Sequence, residues 1–292
     1  MYVRSHTHRA GVQWLQVALA EQEGSRTPNP DELAARALAA LKLADAELRM
    51  RVIDQQGLYN LNNVMRGERV SEPDVQLLRR LLFVIGLPPL LADAVIDAVD
   101  PDSETTLPGG AEDLDYLALN PPRRAQNRKF DDVASLARVR GFDALSVARI
   151  GPFVAALPEG TPINLNGAPA ELLAALIPEL GLEAAREMVA KRGERPFEDA
   201  ADFRARLPSD AKPASGVPVS LRSRYFVVES EARAGRAEVV HRVLLGSEGD
   251  APPVALWRPA YCASTSNWVP GRSRLRCSSG CAPAHPVRRS KR

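Results

Sequence analysis

The sequence predicts an α+β fold in which a large all-α domain is inserted into a smaller domain that contains an antiparallel sheet. Two observations carry this prediction. From about residue 70 to residue 207 the apolar side chains recur with the spacing of helices. Residues 47–54 before this block and residues 223–245 after it have the patterns of strands. Strands on both sides of a helical block place the two ends of the chain in one sheet.

The first predicted element is a helix that begins near residue 29. Asn29 can cap it, Pro30 suits the first helical position, and Glu32 lies three residues after the cap. Apolar residues then recur at intervals of four, at Leu33, Ala37 and Leu41. This stripe predicts an amphipathic helix ahead of the first strand.

The predicted strands flank the helical block. Over residues 47–54 apolar side chains alternate with charged ones, which predicts a strand that is buried on one face. Residues 223–233 and 238–245 are two β-rich runs around a short connection that contains Gly235, which predicts a hairpin. We expect the early strand to join this hairpin in one sheet.

Two helical hairpins are predicted inside the block. The first has a helix that ends at the Gly- and Pro-containing turn of residues 86–89, followed by a helix over residues 90–99. The second has a helix over residues 171–180, a turn at residues 181–182, and a helix that runs through Lys191. The glycines of the two turns take matching places, so the pairs suggest an internal repeat.

Composition and charge restrict the class of protein. Hydrophobic residues make up 45% and charged residues 25% of the 292 residues, as in a soluble globular protein. Residues 261–292 hold seven Lys and Arg and no Asp or Glu, which leaves residues 1–260 with a net charge of −5. An acidic body is a poor electrostatic partner for nucleic acid. We expect residues 261–292 to be a disordered basic tail, because Ser, Pro and Arg dominate it.

All three cysteines lie in this tail, so the body has no disulfide framework. Cys277, Cys281 and His285 leave a zinc site open as an alternative to disorder, although a fourth ligand is missing. The sequence has no run of about 18 apolar residues and no hydrophobic signal core. Read as it stands, it predicts neither a membrane-spanning helix nor an export signal.

The strongest local feature is a run of carboxylates without any Lys or Arg. Its members are Asp93, Asp97, Asp100, Asp102, Glu104, Glu112, Asp113 and Asp115. Such charges repel one another, so either water solvates them along an open loop or a hard cation gathers them. Calcium suits the second alternative because it takes six to eight oxygen ligands in flexible geometry. The spacing is not that of an EF-hand, and composition leaves both alternatives open.

Several segments, taken in order, resemble the K proteins of the type II secretion system, also called general secretion pathway protein K. The acidic segment carries the resemblance through residues 97–102, residues 110–113, Tyr116, Asn127 and Phe130. Further matches are Ile53-Asp54, Gly57, Asn60-Leu61-Asn62, Ile163-Asn164-Leu165-Asn166, Arg192, Pro196-Phe197, Ser223, Tyr225-Phe226 and Trp257-Arg258. Together they cover roughly residues 30–260 in the order of the family.

The resemblance implies a fold and a role. The fold is a pilin-like α+β domain (an N-terminal helix plus an antiparallel sheet) over residues 1–66 and 217–260, with an inserted all-α domain over residues 67–216 that contains helix-hairpin or SAM-like units. The role is that of a non-catalytic minor pseudopilin that caps or initiates the tip of the periplasmic pseudopilus with the I and J pseudopilins. Secreted proteins are further candidate partners. Members are anchored on the periplasmic side of the inner membrane by an N-terminal helix, which this sequence lacks.

The resemblance also implies bound Ca²⁺ in the acidic loop. The ligand candidates that it transfers to this sequence are Asp97, Asp100, Asp102, Glu112, Asp113 and Asn127. The asparagines of the two Asn-Leu-Asn segments are expected to cap turns rather than to bind a ligand, since Asn side chains bond readily to nearby backbone.

Two other functions were weighed against this one. Residues 164–172 resemble helix-hairpin-helix modules that bind DNA, but Glu179 stands where a phosphate would approach, and Lys191, Arg192 and Arg195 suit a solvated helix end. An enzyme is disfavoured because the sequence has four histidines and no G-x-S-x-G, P-loop or H-E-x-x-H motif.

Overall fold

The structure is a computed structural model that describes residues 34–35, 47–234, 237–247, 254–257 and 262–265. Residues 34–35 are helical, and the rest of the helix predicted from Asn29 lies outside the described residues. Within the described part of the chain, no helix is both long enough and apolar enough to cross a lipid bilayer.

The largest sheet joins the two ends of the described chain. Its strands are β1 (Glu47–Asp54), β8 (Tyr225–Ala234), β9 (Ala237–Gly246), β10 (Val254–Trp257) and β11 (Cys262–Thr265). β1 pairs antiparallel with β8, and β8 pairs antiparallel with β9, so both the early strand and the late hairpin are confirmed. The alternation along β1 buries Met50 and Val52 on one face together with Val228 of β8. On the other face Arg242 forms a 2.8 Å ion pair with Glu229.

The strand β11 corrects the prediction of a tail that is disordered from residue 261. It pairs antiparallel with the first four residues of β9, whereas β10 pairs along the same side of β9 with Leu244–Gly246. A ten-residue strand leaves an open edge beside the shorter β10, and an unpaired edge accepts another strand. Residues 266–292, including the zinc candidates Cys277, Cys281 and His285, lie outside the described residues.

The block between these strands is mainly helical, as predicted. Its α-helices are α1 (Glu72–Val84), α2 (Leu91–Val99), α3 (Asp113–Leu117), α4 (Ala144–Ile150), α5 (Ala170–Leu176), α6 (Gly181–Glu194) and α7 (Ala200–Ala205). Short 3-10 helices occur at Leu61–Val64, Val133–Arg138 and Gly151–Phe153. The helix predicted to reach residue 180 ends at Leu176, and Gly181 starts α6 with a φ of +68°.

The block is not purely helical, which corrects the all-α prediction. It also contains the two-residue strands β2 (Tyr59–Asn60), β3 (Met65–Arg66), β4 (Arg69–Val70), β5 (Val154–Ala155), β6 (Ile163–Asn164) and β7 (Val219–Ser220). β2 pairs with β5 and β6 pairs with β7, in both cases in parallel. Pairs of two residues have no period of their own, so sequence patterns do not reveal them.

The domain boundary also differs from the predicted break between residues 66 and 67. Tyr59, Leu61 and Met65 are buried in the core of the helical block rather than against the large sheet. The Tyr59 hydroxyl donates to the carbonyl of Asp74 in α1 at 3.0 Å. Val217 belongs to the same core, so the chain enters the helical block after β1 and leaves it only shortly before β8.

The internal repeat suggested by the sequence is present in the structure. Each unit begins with a short strand and an Asn-Leu-Asn segment, continues through two helices around a positive-φ glycine, and closes with a parallel strand. In the first unit the strands are β2 and β5, the helices are α1 and α2, and Gly86 has a φ of +72°. In the second unit the corresponding elements are β6, β7, α5, α6 and Gly181.

The second Asn of each Asn-Leu-Asn segment clamps a phenylalanine that follows the helices. Asn62 Oδ1 accepts from Phe130 N at 2.8 Å, and Asn62 Nδ2 donates to Phe130 O at 3.0 Å. Asn166 makes the same pair of bonds with Phe197, at 2.8 and 2.9 Å. The expectation that these asparagines bond to backbone is therefore confirmed.

The units differ in how the chain reaches the clamped phenylalanine. In the second unit only Arg195 and Pro196 separate α6 from Phe197. In the first unit residues 100–129 intervene between α2 and Phe130, and they contain most of the acidic run. We call residues 100–129 the excursion. Its two ends are joined by a hydrogen bond from Arg128 N to Ala98 O at 3.1 Å.

Candidate metal centre

Helix α2 carries the first carboxylates of the acidic run into the interior. All nine residues of α2 are buried, because neighbouring segments surround it. Asp93 and Asp97 lie four positions apart and therefore on one face of the helix, and Asp100 follows its last residue. Carboxylates in such a place need partners, since water cannot solvate them.

Asp93 and Asp97 find their partners within the protein. Asp93 Oδ1 forms a 2.8 Å ion pair with Arg79 of α1, and Asp93 Oδ2 accepts from Gly109 N at 3.1 Å. Both oxygens of Asp97 face Thr106 N, at 3.1 and 3.2 Å. Burial raises the pKa of Asp97, and the hydrogen bonds from Thr106 oppose that rise.

Three other side chains at the base of the excursion keep oxygens without hydrogen-bond partners. These buried atoms are Asp100 Oδ1, Glu112 Oε1 and Asn127 Oδ1. Asn127 Nδ2 donates to the carbonyl of Asp102 at 2.6 Å and to Glu112 Oε2 at 3.3 Å, which ties the two sides of the base together. A buried polar atom without a partner is rare and points to a ligand or ion at that place.

Electrostatics at the base favours a cation. Burial raises the pKa of Asp100 to about 7, and repulsion from Asp102, Asp97 and Glu112 adds to the rise. Burial likewise raises the pKa of Glu112. Clustered negative charge raises carboxylate pKa values because the charged forms repel one another, and a positive ion among them reverses that effect.

Two of the predicted ligands have other contacts. Asp102 Oδ1 accepts from Glu104 N at 2.8 Å in an exposed position, although its carbonyl faces Asn127. Asp113 Oδ1 accepts from Ala125 N at 2.8 Å, so this carboxylate ties two parts of the excursion. Of the six predicted residues, the structure thus brings together Asp100, Glu112 and Asn127, with Asp102 beside them.

The donor set decides which group could bind here. Among the described residues, no group of three or more His, Cys, Asp or Glu side chains is placed to hold a metal ion. A cation at the base would therefore be bound by two carboxylates, the Asn127 amide oxygen and carbonyl or water oxygens. Such an all-oxygen set fits a hard ion such as Ca²⁺, which tolerates irregular geometry.

Neighbouring residues that sequence patterns did not single out hold this base in place. Tyr116 is buried, and its hydroxyl accepts from Arg140 N at 3.0 Å. Glu112 caps α3 in a reciprocal arrangement with Asp115. The Asp93-x-x-x-Asp97 spacing was visible in the sequence, but its partner Arg79 lies on another helix and could not be found from it.

The surface proposed as a DNA-binding alternative is arranged otherwise. Arg192, which was expected to be solvated, turns inward and donates to the carbonyls of Leu165 and Ala168 at 2.6 and 2.7 Å. Burial lowers its pKa to about 10. Glu179 lies in the turn before α6, where it interacts with Arg80. A phosphate would meet a carboxylate there, so DNA binding is not supported.

Comparison with known proteins gives consistent matches. Two family models, both described as type II secretion system protein K, match residues 57–159 and 163–221. These spans correspond to the two repeat units. A protein named type II secretion system protein K from Pseudomonas aeruginosa is 35% identical over 239 residues, covering 78% of this chain and 71% of the relative. Its namesake from Klebsiella pneumoniae is 31% identical over 257 residues, covering 82% and 78%.

A solved structure is similar over nearly the whole chain. It is the GspK–GspI–GspJ complex from the type 2 secretion system of enterotoxigenic Escherichia coli, and the match has a TM-score of 0.69 at 22% identity. The match covers 91% of this chain and 95% of the chain in that structure. The mixed helix-and-sheet fold is thereby confirmed.

Proposed function

Because this chain belongs to the type II secretion system protein K family, we propose that it acts as a minor pseudopilin of the envelope secretion machinery. The observation that carries this function is the match to the Pseudomonas aeruginosa protein K, which extends over 71% of that relative. In this role the chain joins other minor pseudopilins and caps or initiates the tip of the periplasmic pseudopilus. The role is structural and involves no catalysis.

The two parts of the fold suit different tasks in such an assembly. The sheet of β1, β8 and β9 forms the pilin-like part, which would lie beside the I and J pseudopilins. The paired repeats form a bulky helical head. The solved relative was determined in a complex with GspI and GspJ, which supports these two partners. Placement at the periplasmic side of the inner membrane follows from the same role.

Co-purification tests the assembly. The chain, produced with its I and J pseudopilins in the periplasm, should co-elute with both in one complex. A control with sheet residues changed on the exposed face, such as Glu229→Arg, tests whether the sheet is the contact. Elution of the full chain alone, with I and J together in another fraction, would contradict the proposed role.

The excursion is proposed to bind Ca²⁺ at its base. Asp100, Glu112 and Asn127 would hold the ion through the oxygens that lack partners in the structure, and Asp102 would supply a further oxygen. The ion supplies positive charge among carboxylates that otherwise repel one another. The residues in turn fix the start and the end of the excursion against each other beside Phe130.

Thermal unfolding tests this site directly. At a hundredfold excess over Kd, an ion that binds only the folded state adds about 2.7 kcal/mol of stability. For a chain of this size, that free energy raises Tm by about 5–10 °C. Asp100→Asn and Glu112→Gln should abolish the difference between Ca²⁺ and EGTA. Asp113→Asn is the matched control, since Asp113 contacts Ala125 rather than the base, and it should keep the difference. Identical melts of the wild-type chain in Ca²⁺ and EGTA would return the loop to a solvated role.

A further inference from the structure

One turn of the excursion, residues 106–110, sits against the first half of α2 so closely that only glycine fits. A Cβ atom on Gly109 would lie 2.4 Å from the carbonyl oxygen of Leu90. A Cβ atom on Gly110 would lie 2.2 Å from Asp97 Oδ2 and 2.4 Å from the carbonyl oxygen of Thr106. Contacts of this length to backbone exclude any larger residue, so the two glycines allow the backbone to approach the helix. They are not needed to approach a metal, as the sequence had suggested.

The same turn is hydrogen-bonded to the helix at two points. Gly109 N donates to Asp93 and Thr106 N donates to Asp97, while Gly110 N donates to Thr106 O at 2.7 Å within the turn. Asp93 is itself fixed by Arg79, so its position does not depend on the excursion. Two carboxylates one helical turn apart thus accept from two amides of one short turn.

These acceptors are buried and charged, which makes the bonds strong. Asp93 and Asp97 are both 0% exposed. A hydrogen bond to a buried carboxylate contributes more than one between neutral groups, and leaving such a carboxylate without partners is costly. None of these contacts involves the base of the excursion, where the unpartnered oxygens lie.

We propose that Asp93 and Asp97 are positioning residues that fix residues 106–110 on α2 without any cation. The excursion would then have two parts, a preformed part on α2 and a part from residue 111 to residue 128 that is fixed by the cation. The second half of this statement rests on the proposed Ca²⁺ site, whereas the first half does not. Asp97, a ligand candidate in the sequence, is thereby assigned to the fold.

Hydrogen exchange of the full-length chain in EGTA tests the first half. We expect the amides of Thr106 and Gly109 to exchange more slowly by about tenfold or more than they would in an open loop. Asp97→Ala should remove this protection at Thr106, and Asp97→Asn, which keeps one carbonyl oxygen as acceptor, should restore part of it. The amide of Phe197 in the second unit is the internal control and should not change.

Two further variants separate this proposal from the Ca²⁺ site. Asp100→Asn should abolish the effect of Ca²⁺ on melting and leave the EGTA protection of Thr106 intact. Gly109→Ala keeps every carboxylate and should expose the turn, which gives an independent test if Asp97→Ala does not fold. Fast exchange of Thr106 in wild-type protein in EGTA, with protection appearing only in Ca²⁺, would overturn the proposal. Protection in EGTA with no response to Ca²⁺ would refute the metal site alone.

Discussion

Removing the side chain of Asn62 should destabilise the protein by about 3 kcal/mol. The side chain is 3% exposed and makes three hydrogen bonds outside its own turn, with Phe130 N, Phe130 O and Leu157 O, at 2.8, 3.0 and 2.8 Å. Asn62→Ala leaves these three buried backbone groups without a partner. Each costs about 1–3 kcal/mol, and the lower value applies where the structure relaxes or water enters.

Asn166→Ala is the matched control within the same molecule. Its side chain makes the equivalent bonds with Phe197 N, Phe197 O and Leu221 O, at 2.8, 2.9 and 3.2 Å. Asn166 is partly exposed, so its loss should cost less, about 2 kcal/mol. The two variants therefore remove the same clamp from two units, only one of which contains the excursion.

Urea unfolding and Ca²⁺ titration together distinguish the two variants. Both should lower the urea midpoint with little change in slope, because the surface exposed on unfolding stays nearly the same. Only Asn62→Ala should weaken Ca²⁺ binding, since Phe130 follows directly after the excursion that Asn62 secures. A loss below about 1 kcal/mol for Asn62→Ala would show that the clamp is not as buried as the structure indicates. Equal weakening of Ca²⁺ binding by both variants would refute the link between clamp and site.

Two other predictions concern backbone packing and pH. A Cβ atom on Gly57 would lie 2.5 Å from the backbone of Gly167, so Gly57→Ala should cost about 2 kcal/mol or more in urea unfolding, whereas Gly193→Ala, with nothing within 4 Å inside α6, should stabilise by up to about 1 kcal/mol. The pKa of Asp100 is raised to about 7 from 3.8, so the folded chain keeps a proton that the unfolded chain has lost. In EGTA, stability should therefore fall as pH rises from about 4 to 7, and the fall should be smaller in Asp100→Asn. A wild-type pH profile that coincides with that of Asp100→Asn would contradict the raised pKa.

The large sheet could be predicted because its strands are long enough to show a period. Over β1 the alternation extends for eight residues, and each strand of the hairpin has ten. The pairing of β1 with β8 followed from the position of strands at both ends of a helical block. The parallel bridges of β2 with β5 could not be predicted, since two residues show no period. The domain boundary was misplaced for the same reason, because Tyr59 and Leu61 enter the helical core from such a bridge.

The candidate site could be predicted as a region but not residue by residue. The excess of carboxylates marked residues 93–115, and Asp100 and Glu112 do meet at the base. Sequence alone does not tell a carboxylate that awaits a cation from one that accepts backbone amides. Asp97 and Asp113 are of the second kind, because Thr106 and Ala125 reach them first. That distinction depends on contacts between residues 9 and 12 positions apart, which no local pattern encodes.

Comparison of the two units explains why a cation would be needed in only one of them. The second unit reaches its clamped phenylalanine through Arg195 and Pro196, whereas the first closes a loop of residues 100–129 before Phe130. Closing a loop of about 30 residues instead of about 2 costs roughly 2 kcal/mol more in chain entropy. Hydrogen bonds to Asp97 and Asp113 order the middle of the excursion, but its base retains oxygens without partners. A bound ion that adds about 2.7 kcal/mol at a hundredfold excess over Kd is of the size required to offset that cost. The unpartnered oxygens therefore lie at the point where the first unit departs from the second.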